Sequence, residues 1–339
     1  MNRLRALLRS IGGGPGYQGP ASDHFDGRHF FNSDAPAGRS FGDFLRWRRT
    51  AHPKSWPEWV ENRARPALPT QLAPGQIALT FINHITFLIQ AHGLNILTDP
   101  VYSERASPLR NRGPKRVRAP GLAFDQLPPI HLVLVSHNHY DHLDLDTLMR
   151  LEAAHAPRFI TPLGNKPFLE QHGLRTVHEL DWWQSLDVAN TTVTVTPAQH
   201  WSSRGPGNRN RSLWCGFIVR MGTANVLFAG DTGYSKHFKE IRARHGAVDL
   251  ALLPIGAYEP RWFMAPQHMN PEDAVAALQL LGARYALGYH WGTFRLTSEG
   301  IEQPKHDLGT ALAASGMAPD RFLALRPGQT WIPPSTDIR

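Results

Sequence analysis

The sequence predicts an α/β fold in which short buried strands alternate with amphipathic helices. Residues 132–135, Leu-Val-Leu-Val, form an unbroken apolar run that is typical of a strand buried on both faces of a sheet. Several strand-like runs end in a histidine or aspartate, and helices with clear capping signals lie between them. Because open α/β sheets place their sites beyond the carboxyl ends of strands, a functional site is expected there.

The elements follow from local patterns. Strands are predicted over residues 77–81, 86–89, 95–98, 132–135, 191–196, 225–229, 249–254 and 285–289. Asp144 is the predicted N-cap of a helix that runs through residue 154, and Asn270 begins a helix that ends before Gly282. Ser235 begins a third helix, and a fourth covers 306–314 before a terminal strand.

Composition limits the possible partners and cofactors. The chain has 339 residues, with 36 basic against 28 acidic residues, so its surface should attract anions such as nucleic acid, anionic lipid or phosphorylated metabolites. The single cysteine, Cys215, excludes an intramolecular disulfide and a cysteine-rich zinc module. No apolar run reaches the ~20 residues of a membrane span. A cytoplasmic location is expected, with some time on a membrane surface.

The chain divides into three predicted parts. Residues 1–35 are rich in Gly, Pro, Ser and Asp and predict a disordered or extended arm. Residues 36–70 interleave basic and aromatic side chains, which suits either a flap at a membrane interface or a flap that packs on the main domain. Residues 71–339 form the predicted catalytic domain. Within it, 104–118 is predicted to be a basic loop.

The stretch after the 132–135 strand carries the strongest chemical signal. His137, His139, Asp141 and His142 fall within six positions, and so many polar groups are costly to bury unless a charged ligand binds them. Two histidines two positions apart on an extended segment point the same way and can share one metal ion. Asp141 and His142 can reach a second ion. The alternative is a solvated histidine-rich loop, which the full pattern disfavours.

Three other predicted strands end in a residue that can bind a metal ion. These residues are His200, Asp231 and His290. A lone histidine after a strand is more often structural. Four loops at one edge of a sheet, however, predict a shared divalent-metal site.

These residues resemble the motifs of the metallo-β-lactamase superfamily: His-x-His-x-Asp-His, then a single His, Gly-Asp and a single His. The resemblance implies a four-layer αβ/βα sandwich with two central mixed sheets and outer helices. It also implies two zinc ions per chain, with manganese or iron as alternatives. It assigns His137, His139 and His200 to one ion, Asp141, His142 and His290 to the other, and Asp231 to both.

A narrower resemblance is to the N-acylphosphatidylethanolamine-hydrolysing phospholipase D family. The motifs that carry it lie at 98–100, 105–108, 113–116, 127–130, 136–144, 180–183, 228–234, 254–264, 267–268 and 290–294. It implies hydrolysis of an anionic phospholipid at a membrane surface, giving phosphatidic acid and an N-acylethanolamine. Asn83-His84 departs from that family's Gly-His. No nucleic-acid partner is expected, and a homodimer is left open.

The resemblance also suggests roles for individual residues. Asp141, Asp231 and His268 are the predicted catalytic residues. Attack comes from a hydroxide held by the metals, and His268 holds the phosphate, protonates the leaving oxygen or only supports its loop. Asp99 is predicted to orient a metal-binding histidine. The predicted substrate-binding residues are Tyr140, Arg261 and Trp262.

Two rival functions stay open at this point. The first is another hydrolase of the same fold, acting on nucleic acid, a lactone or a soluble phosphodiester. For the phospholipid substrate, basic residues in 104–118 and 204–211 are candidates for the mouth of the site, or they are packed or solvent-facing. The second is a metal-dependent lipid-binding protein without turnover. The complete set of seven expected ligands favours an enzyme.

Overall fold

The computed structural model describes residues 14–32 and 39–334. These residues form two mixed sheets of seven strands each. The strands are β1 (Ala78–Asn83), β2 (Thr86–Ala91), β3 (Leu94–Thr98), β4 (Leu132–Leu134), β5 (Arg158–Pro162), β6 (Val177–Leu180), β7 (Ser185–Val188), β8 (Thr191–Thr196), β9 (Gly216–Met221), β10 (Ala224–Phe228), β11 (Leu250–Pro254), β12 (Tyr285–Tyr289), β13 (Phe322–Leu323) and β14 (Thr330–Trp331).

Strand order places the carboxyl ends of the key strands at one edge. The first sheet has the order β14-β1-β2-β3-β4-β5-β6, and the second has the order β13-β12-β11-β10-β9-β8-β7. Strands β3 to β6 are parallel in the first sheet, as are β10 to β13 in the second. Strand β8 has the same direction as β10, because each pairs antiparallel with β9.

Seven helices accompany the sheets in the described residues. They are α1 (Phe41–Thr50), α2 (Leu145–His155), α3 (Lys166–Gln171), α4 (His237–His245), α5 (Arg261–Met264), α6 (Pro271–Leu281) and α7 (Gln303–Ala314), with short 3₁₀ turns at Phe124–Gln126 and Pro319–Arg321. Across the described ranges, none of the helices has both the length and the apolar composition needed to cross a bilayer.

Helix ends follow the capping signals closely. The Asp144 side chain accepts a hydrogen bond from the Thr147 amide at the start of α2. Asn270 begins α6 in the same way, and Gly282 ends it in a left-handed conformation with φ of 59°. Helix α4 begins at His237 rather than Ser235, and α7 begins three residues before the predicted position 306.

Apolar side chains fill the space between the sheets and cover both outer faces. Tyr289 of β12 contacts Phe87 of the first sheet and Phe228 of the second. Leu148 of α2 packs outside the first sheet and Leu278 of α6 outside the second, and both are buried. This arrangement confirms the predicted four-layer αβ/βα sandwich.

The N-terminal segment, residues 14–32, packs against the second half of the chain. Phe25 and Phe30 are each 1% exposed and share a cluster with Trp214. The segment contains turns and isolated β-bridges but no regular helix or strand. The remainder of the predicted 1–35 arm lies outside the described residues.

The predicted 36–70 segment contains both packed and exposed aromatic side chains over its described part. Trp47 of α1 stacks on Phe263 of α5, with ring centroids 5.1 Å apart. The Trp56 indole donates to the Glu299 carbonyl at 2.9 Å. Phe44, by contrast, is 40% exposed. Part of this segment therefore packs on the main domain while another part faces solvent.

Two arginines of the predicted basic loop 104–118 are packed. Arg116 and Arg118 are 5% and 2% exposed. The Arg116 guanidinium donates to the carbonyls of Ser103 and Val101, so backbone oxygens accept from its Nε and Nη2 groups. Positive residues in a loop without hydrophobic period can therefore still serve a structural role.

Candidate metal centre and active-site cavity

Loops after β4, β8, β10 and β12 bring the predicted ligands together at the shared edge. The first ligand set consists of His137, His139 and His200, whose candidate ligand atoms all lie within 4.8 Å of one another. His137 Nε2 lies 2.8 Å from His139 Nδ1, and His200 Nε2 lies 3.3 Å from that same atom. The His-x-His spacing on extended backbone places two imidazoles on one side, as the sequence predicts.

The second ligand set consists of Asp141, His142 and His290. Asp141 Oδ2 lies 3.5 Å from His142 Nε2 and 3.4 Å from His290 Nε2. Both histidines are fully buried. The three ligand atoms come from two loops, after β4 and after β12, so the fold rather than local sequence brings them together.

Asp231 lies between the two sets. Its Oδ2 is 3.1 Å from His142 Nε2 and 3.1 Å from His290 Nε2, in the second set. The same oxygen is 3.8 Å from His200 Nε2, in the first set. One carboxylate therefore reaches ligand atoms of both sets, which is the arrangement that a bridging ligand requires.

Several ligand atoms lack a hydrogen bond. The Nε2 atoms of His142 and His290 and Oδ1 of Asp231 are buried without a hydrogen bond from any described residue. Each such atom costs about 1–3 kcal/mol if nothing binds it. Imidazole nitrogens and carboxylate oxygens are the donors that zinc, manganese and iron bind. The residues therefore fit a divalent metal.

Charges in the centre also favour a cation. Burial lowers the pKa of His139 to about 3, so its ring is neutral and keeps a lone pair for a metal. Burial alone would lower the pKa of His290, but Asp231 and Asp141 raise it to about 9. The same carboxylates outweigh burial at His142 and raise its pKa. The negative potential that stabilises these imidazolium ions would equally stabilise a metal ion.

Hydrogen bonds behind the ligands fix their orientation. Asp99 Oδ2 lies 2.7 Å from His142 Nδ1, and both side chains are fully buried. Ser136 donates to Asp99 through its amide at 2.6 Å and through its hydroxyl at 2.5 Å. His200 Nδ1 lies 3.0 Å from the Gln267 carbonyl. With Nδ1 bound in this way, Nε2 of each histidine faces the centre as an acceptor.

A buried arginine holds the metal-binding loop. The Arg204 guanidinium donates to the carbonyls of Asn138 at 3.0 Å and Leu143 at 2.7 Å, on either side of Asp141. The Tyr140 hydroxyl donates to the Arg204 carbonyl at 2.6 Å, and its ring lies 4.1 Å from the guanidinium carbon. Tyr140, a predicted substrate-binding residue, is thus part of this clamp.

His268 is outside the two predicted ligand sets, but with His200 and Asp231 it forms a further group whose candidate ligand atoms lie within 4.8 Å of one another. Its Nδ1 is 3.9 Å from Asp231 Oδ2, and its ring centroid is 5.0 Å from that of His200. Arg261 donates to the His268 carbonyl at 2.9 Å and to the Asp273 carboxylate at 2.6 Å, so it fixes the His268 loop. Trp262 is 36% exposed and has the guanidinium of Arg46 4.8 Å above its ring.

His84 is a member of the centre that the sequence did not identify as a ligand. It follows β1 and is 1% exposed. Its Nε2 lies 3.0 Å from Asp141 Oδ2, and its ring centroid is 4.3 Å from that of His290. A lone histidine after a strand is the only sequence signal for it, and Asn83-His84 departs from the Gly-His of the similar family.

A cavity of about 540 Å³ opens above the centre. Its floor is formed by the metal-binding residues and His268, and its walls and roof are largely aromatic and aliphatic. The wall and roof residues include Arg39, Phe44, Trp47, Trp201, Arg209, Phe263, Met264 and Leu296. Helix α1 thus lies over the centre. Tyr140, Arg261 and Trp262 do not line this cavity, and their substrate-binding roles stay predictions.

Comparisons with known proteins agree with this geometry. The Beta-lactamase superfamily domain matches residues 94–291, a span that includes all seven predicted ligands. The chain belongs to the metallo-β-lactamase superfamily. With its fold and its His/Asp centre, it is a metal-dependent hydrolase.

More specific similarity comes from two relatives and one solved structure. N-acyl-phosphatidylethanolamine-hydrolyzing phospholipase D 1 of Caenorhabditis elegans is 37% identical over 265 residues, covering 74% of each chain. The mitochondrial N-acyl-phosphatidylethanolamine-hydrolyzing phospholipase D of Saccharomyces cerevisiae is 40% identical, covering 70% of this chain and 52% of the yeast protein. A metallo hydrolase from Ignicoccus hospitalis has a TM-score of 0.59 at 21% identity, covering 76% of this chain and 98% of the archaeal one. The resemblance seen in the motifs is confirmed.

Proposed function

We propose that this chain is a hydrolase of the phospholipase D type that cleaves N-acylphosphatidylethanolamine to phosphatidic acid and an N-acylethanolamine. The observation that carries the proposal is a seven-residue His/Asp centre at the floor of a largely apolar cavity. The known names of the worm and yeast relatives support the choice of substrate. A phosphodiester needs the charged floor, and acyl chains need the apolar walls.

Two zinc ions are the proposed cofactors, one at each ligand set, with Asp231 shared between them. Bound metal ions would polarise the phosphate and lower the pKa of a coordinated water from ~15.7 toward ~7. Manganese and iron suit the same nitrogen and oxygen donors and are the alternatives.

The reaction adds the oxygen of water to phosphorus and breaks the bond between phosphorus and the ethanolamine oxygen. That oxygen must gain a proton as it leaves. His268 lies beside Asp231 at the cavity floor, outside both ligand sets, and is the proposed group that holds the phosphate or delivers the proton. Arg261 sets the position of the His268 loop from behind.

Lipid access is proposed to occur over α1. Phe44 and Trp47 of this helix line the cavity, and Leu45 is 42% exposed on the same helix. Arg46, Arg48 and Arg49 lie on α1 as well and are exposed. Exposed apolar side chains beside arginines suit an interface with anionic lipid headgroups, so we infer a peripheral contact with a membrane here.

The proposal is tested by adding zinc-loaded protein to phospholipid vesicles that contain N-acylphosphatidylethanolamine and quantifying products by mass spectrometry. We expect phosphatidic acid and N-acylethanolamine in equal amounts, with no release by Asp231→Asn. Single-stranded RNA and a lactone are incubated in parallel. Turnover of either of these without hydrolysis of the lipid would overturn the proposal in favour of another hydrolase of this fold.

A further inference from the structure

Two arginines line the active-site cavity among the described residues, and they differ in what they contact. These are Arg39 and Arg209. The Arg39 guanidinium donates to the backbone carbonyls of Trp262 and Phe263, which ties the start of α1 to α5. Backbone carbonyls of the protein therefore already accept hydrogen bonds from the Arg39 guanidinium.

Arg209 has no such backbone partner among residues 14–32 and 39–334, and aromatic stacking holds it in place. Its guanidinium carbon lies 4.1 Å from the centroid of the Trp201 ring. Trp201 in turn lies 4.3 Å, ring to ring, from His139 of the first ligand set. Arg209 lies over the face of Trp201, and Trp201 meets His139 edge to face, so the positive charge in the cavity wall lies one ring beyond a metal ligand.

The charge of Arg209 has no counter-ion in the described part of the chain. No carboxylate there forms an ion pair with it, and partial desolvation lowers its pKa. The two carboxylates that line the cavity, Asp141 and Asp231, face the metal-binding histidines. A guanidinium that lines the cavity and forms no ion pair with the described carboxylates is suited to bind an anionic ligand.

We propose that Arg209, held on Trp201, binds the phosphate of the substrate and makes the enzyme selective for anionic phosphodiesters over neutral esters. This inference rests on the proposed function. A guanidinium matches two phosphate oxygens with two parallel N–H donors, which an ammonium does not. The contact requires no other group, because a phosphodiester brings one full negative charge and two unesterified oxygens.

The expected effect of replacing Arg209 on KM depends on how exposed its side chain is. Arg209 lies at the exposed rim, where ion pairs contribute little, yet charge-assisted hydrogen bonds to phosphate are stronger than neutral ones. We therefore expect Arg209→Gln to raise KM for an anionic diester about tenfold, with kcat changed less than about twofold. Arg209→Lys should recover only part of this loss, because the bidentate geometry is absent.

The test uses the full-length, zinc-loaded protein and two diesters, bis(p-nitrophenyl) phosphate in solution and N-acylphosphatidylethanolamine in vesicles. Dimethyl phosphate binding, measured by calorimetry, provides a readout independent of turnover and should weaken by a similar factor. Arg220→Gln is the matched control, since Arg220 is an exposed arginine on β9 and does not line the cavity. Co-sedimentation with vesicles separates phosphate recognition from surface docking and should be unchanged.

The outcomes are distinct. An unchanged KM and an unchanged dimethyl phosphate affinity in Arg209→Gln would overturn the inference, as would an equal loss in Arg220→Gln. Loss of vesicle binding with normal affinity for the soluble diester would reassign Arg209 to the membrane surface. If the wild type binds dimethyl phosphate through Arg209 yet never hydrolyses the lipid, the proposed function fails and the inference about Arg209 stands.

Discussion

Replacing Asp99 by asparagine should weaken metal binding at the second ligand set without unfolding the protein. Asp99 Oδ1 accepts from the Ser136 amide, and Oδ2 accepts from the Ser136 hydroxyl and from His142 Nδ1. An amide oxygen in place of Oδ1 keeps the first bond. An NH₂ group in place of Oδ2, however, meets the Nδ1–H of His142, and two donors then face each other.

The simplest relief moves the proton of His142 from Nδ1 to Nε2, so that Nδ1 accepts from the introduced amide. Nε2 then carries a proton and no longer has the lone pair that faces Asp231, 3.1 Å away. Restoring the metal-binding tautomer leaves a buried donor unpaired, which costs about 1–3 kcal/mol. Metal affinity should therefore fall about 10–100-fold, in the range seen for losses of such supporting carboxylates.

Zinc affinity is measured by competition with a chromophoric chelator, and metal content by mass spectrometry after dialysis. Asp187→Asn is the matched control, because Asp187 is exposed on β7 and its carboxylate accepts from Thr192. We expect the control to bind zinc as the wild type does. Wild-type affinity in Asp99→Asn, with a normal thermal transition, would refute the role assigned to Asp99.

Three further changes test other parts of the structure. Arg204→Met leaves two buried carbonyls of the metal-binding loop unpaired, so we expect destabilisation of about 2–4 kcal/mol, measured by denaturant unfolding of the metal-free protein; an unchanged midpoint would contradict the clamp. Burial alone would lower the pKa of His24, but its hydrogen bond to Asp181 contributes to raising it. The contact of the N-terminal segment should therefore be fully stabilising below about pH 6.5, the ordinary pKa, and weaken as pH rises through the folded value; limited proteolysis between pH 5.5 and 8.5 should show this, and His24→Gln should remove the pH dependence. His268→Ala should abolish turnover and keep both metals, whereas Asp231→Ala should lose metal as well; metal loss from His268→Ala would make His268 a ligand instead.

Local signals made most of the fold and the ligand loops predictable. The 132–135 run, the Asn270 cap and the terminating Gly282 each specify an element without help from distant residues, and the structure has all three. The four-layer arrangement came from the resemblance of the motifs. Hydrophobic runs alone predict strands but do not fix which strands pair or how sheets stack.

The elements between α2 and β8 were not assigned from the sequence. Strand β5 is a five-residue element that begins with an exposed arginine and ends in proline, and β6 and β7 each contain only four residues. Such short segments carry too few alternating positions to reveal a period. Strand β5 forms because it pairs with β4, and strand β7 forms because it pairs with β8. These pairings depend on tertiary structure.

Long-range packing also explains the site residues that the sequence did not single out. His84 and Arg209 reach the site only because β1 and the loop after β8 lie at the same edge as the metal-binding loops. Trp201 adjoins His200 in sequence, yet only the fold shows that its ring separates His139 from Arg209. The sequence does not reveal that Arg116 is buried either, because its hydrogen-bond partners are backbone carbonyls that only the fold brings close.

Anomalous diffraction at the zinc edge from crystals of the zinc-loaded protein tests the central claim most directly. We expect two peaks per chain, each about 2.0–2.3 Å from its ligand atoms, one at the first ligand set and one at the second, with Asp231 within reach of both. No peak, or peaks remote from the loops after β4, β8, β10 and β12, would contradict the account.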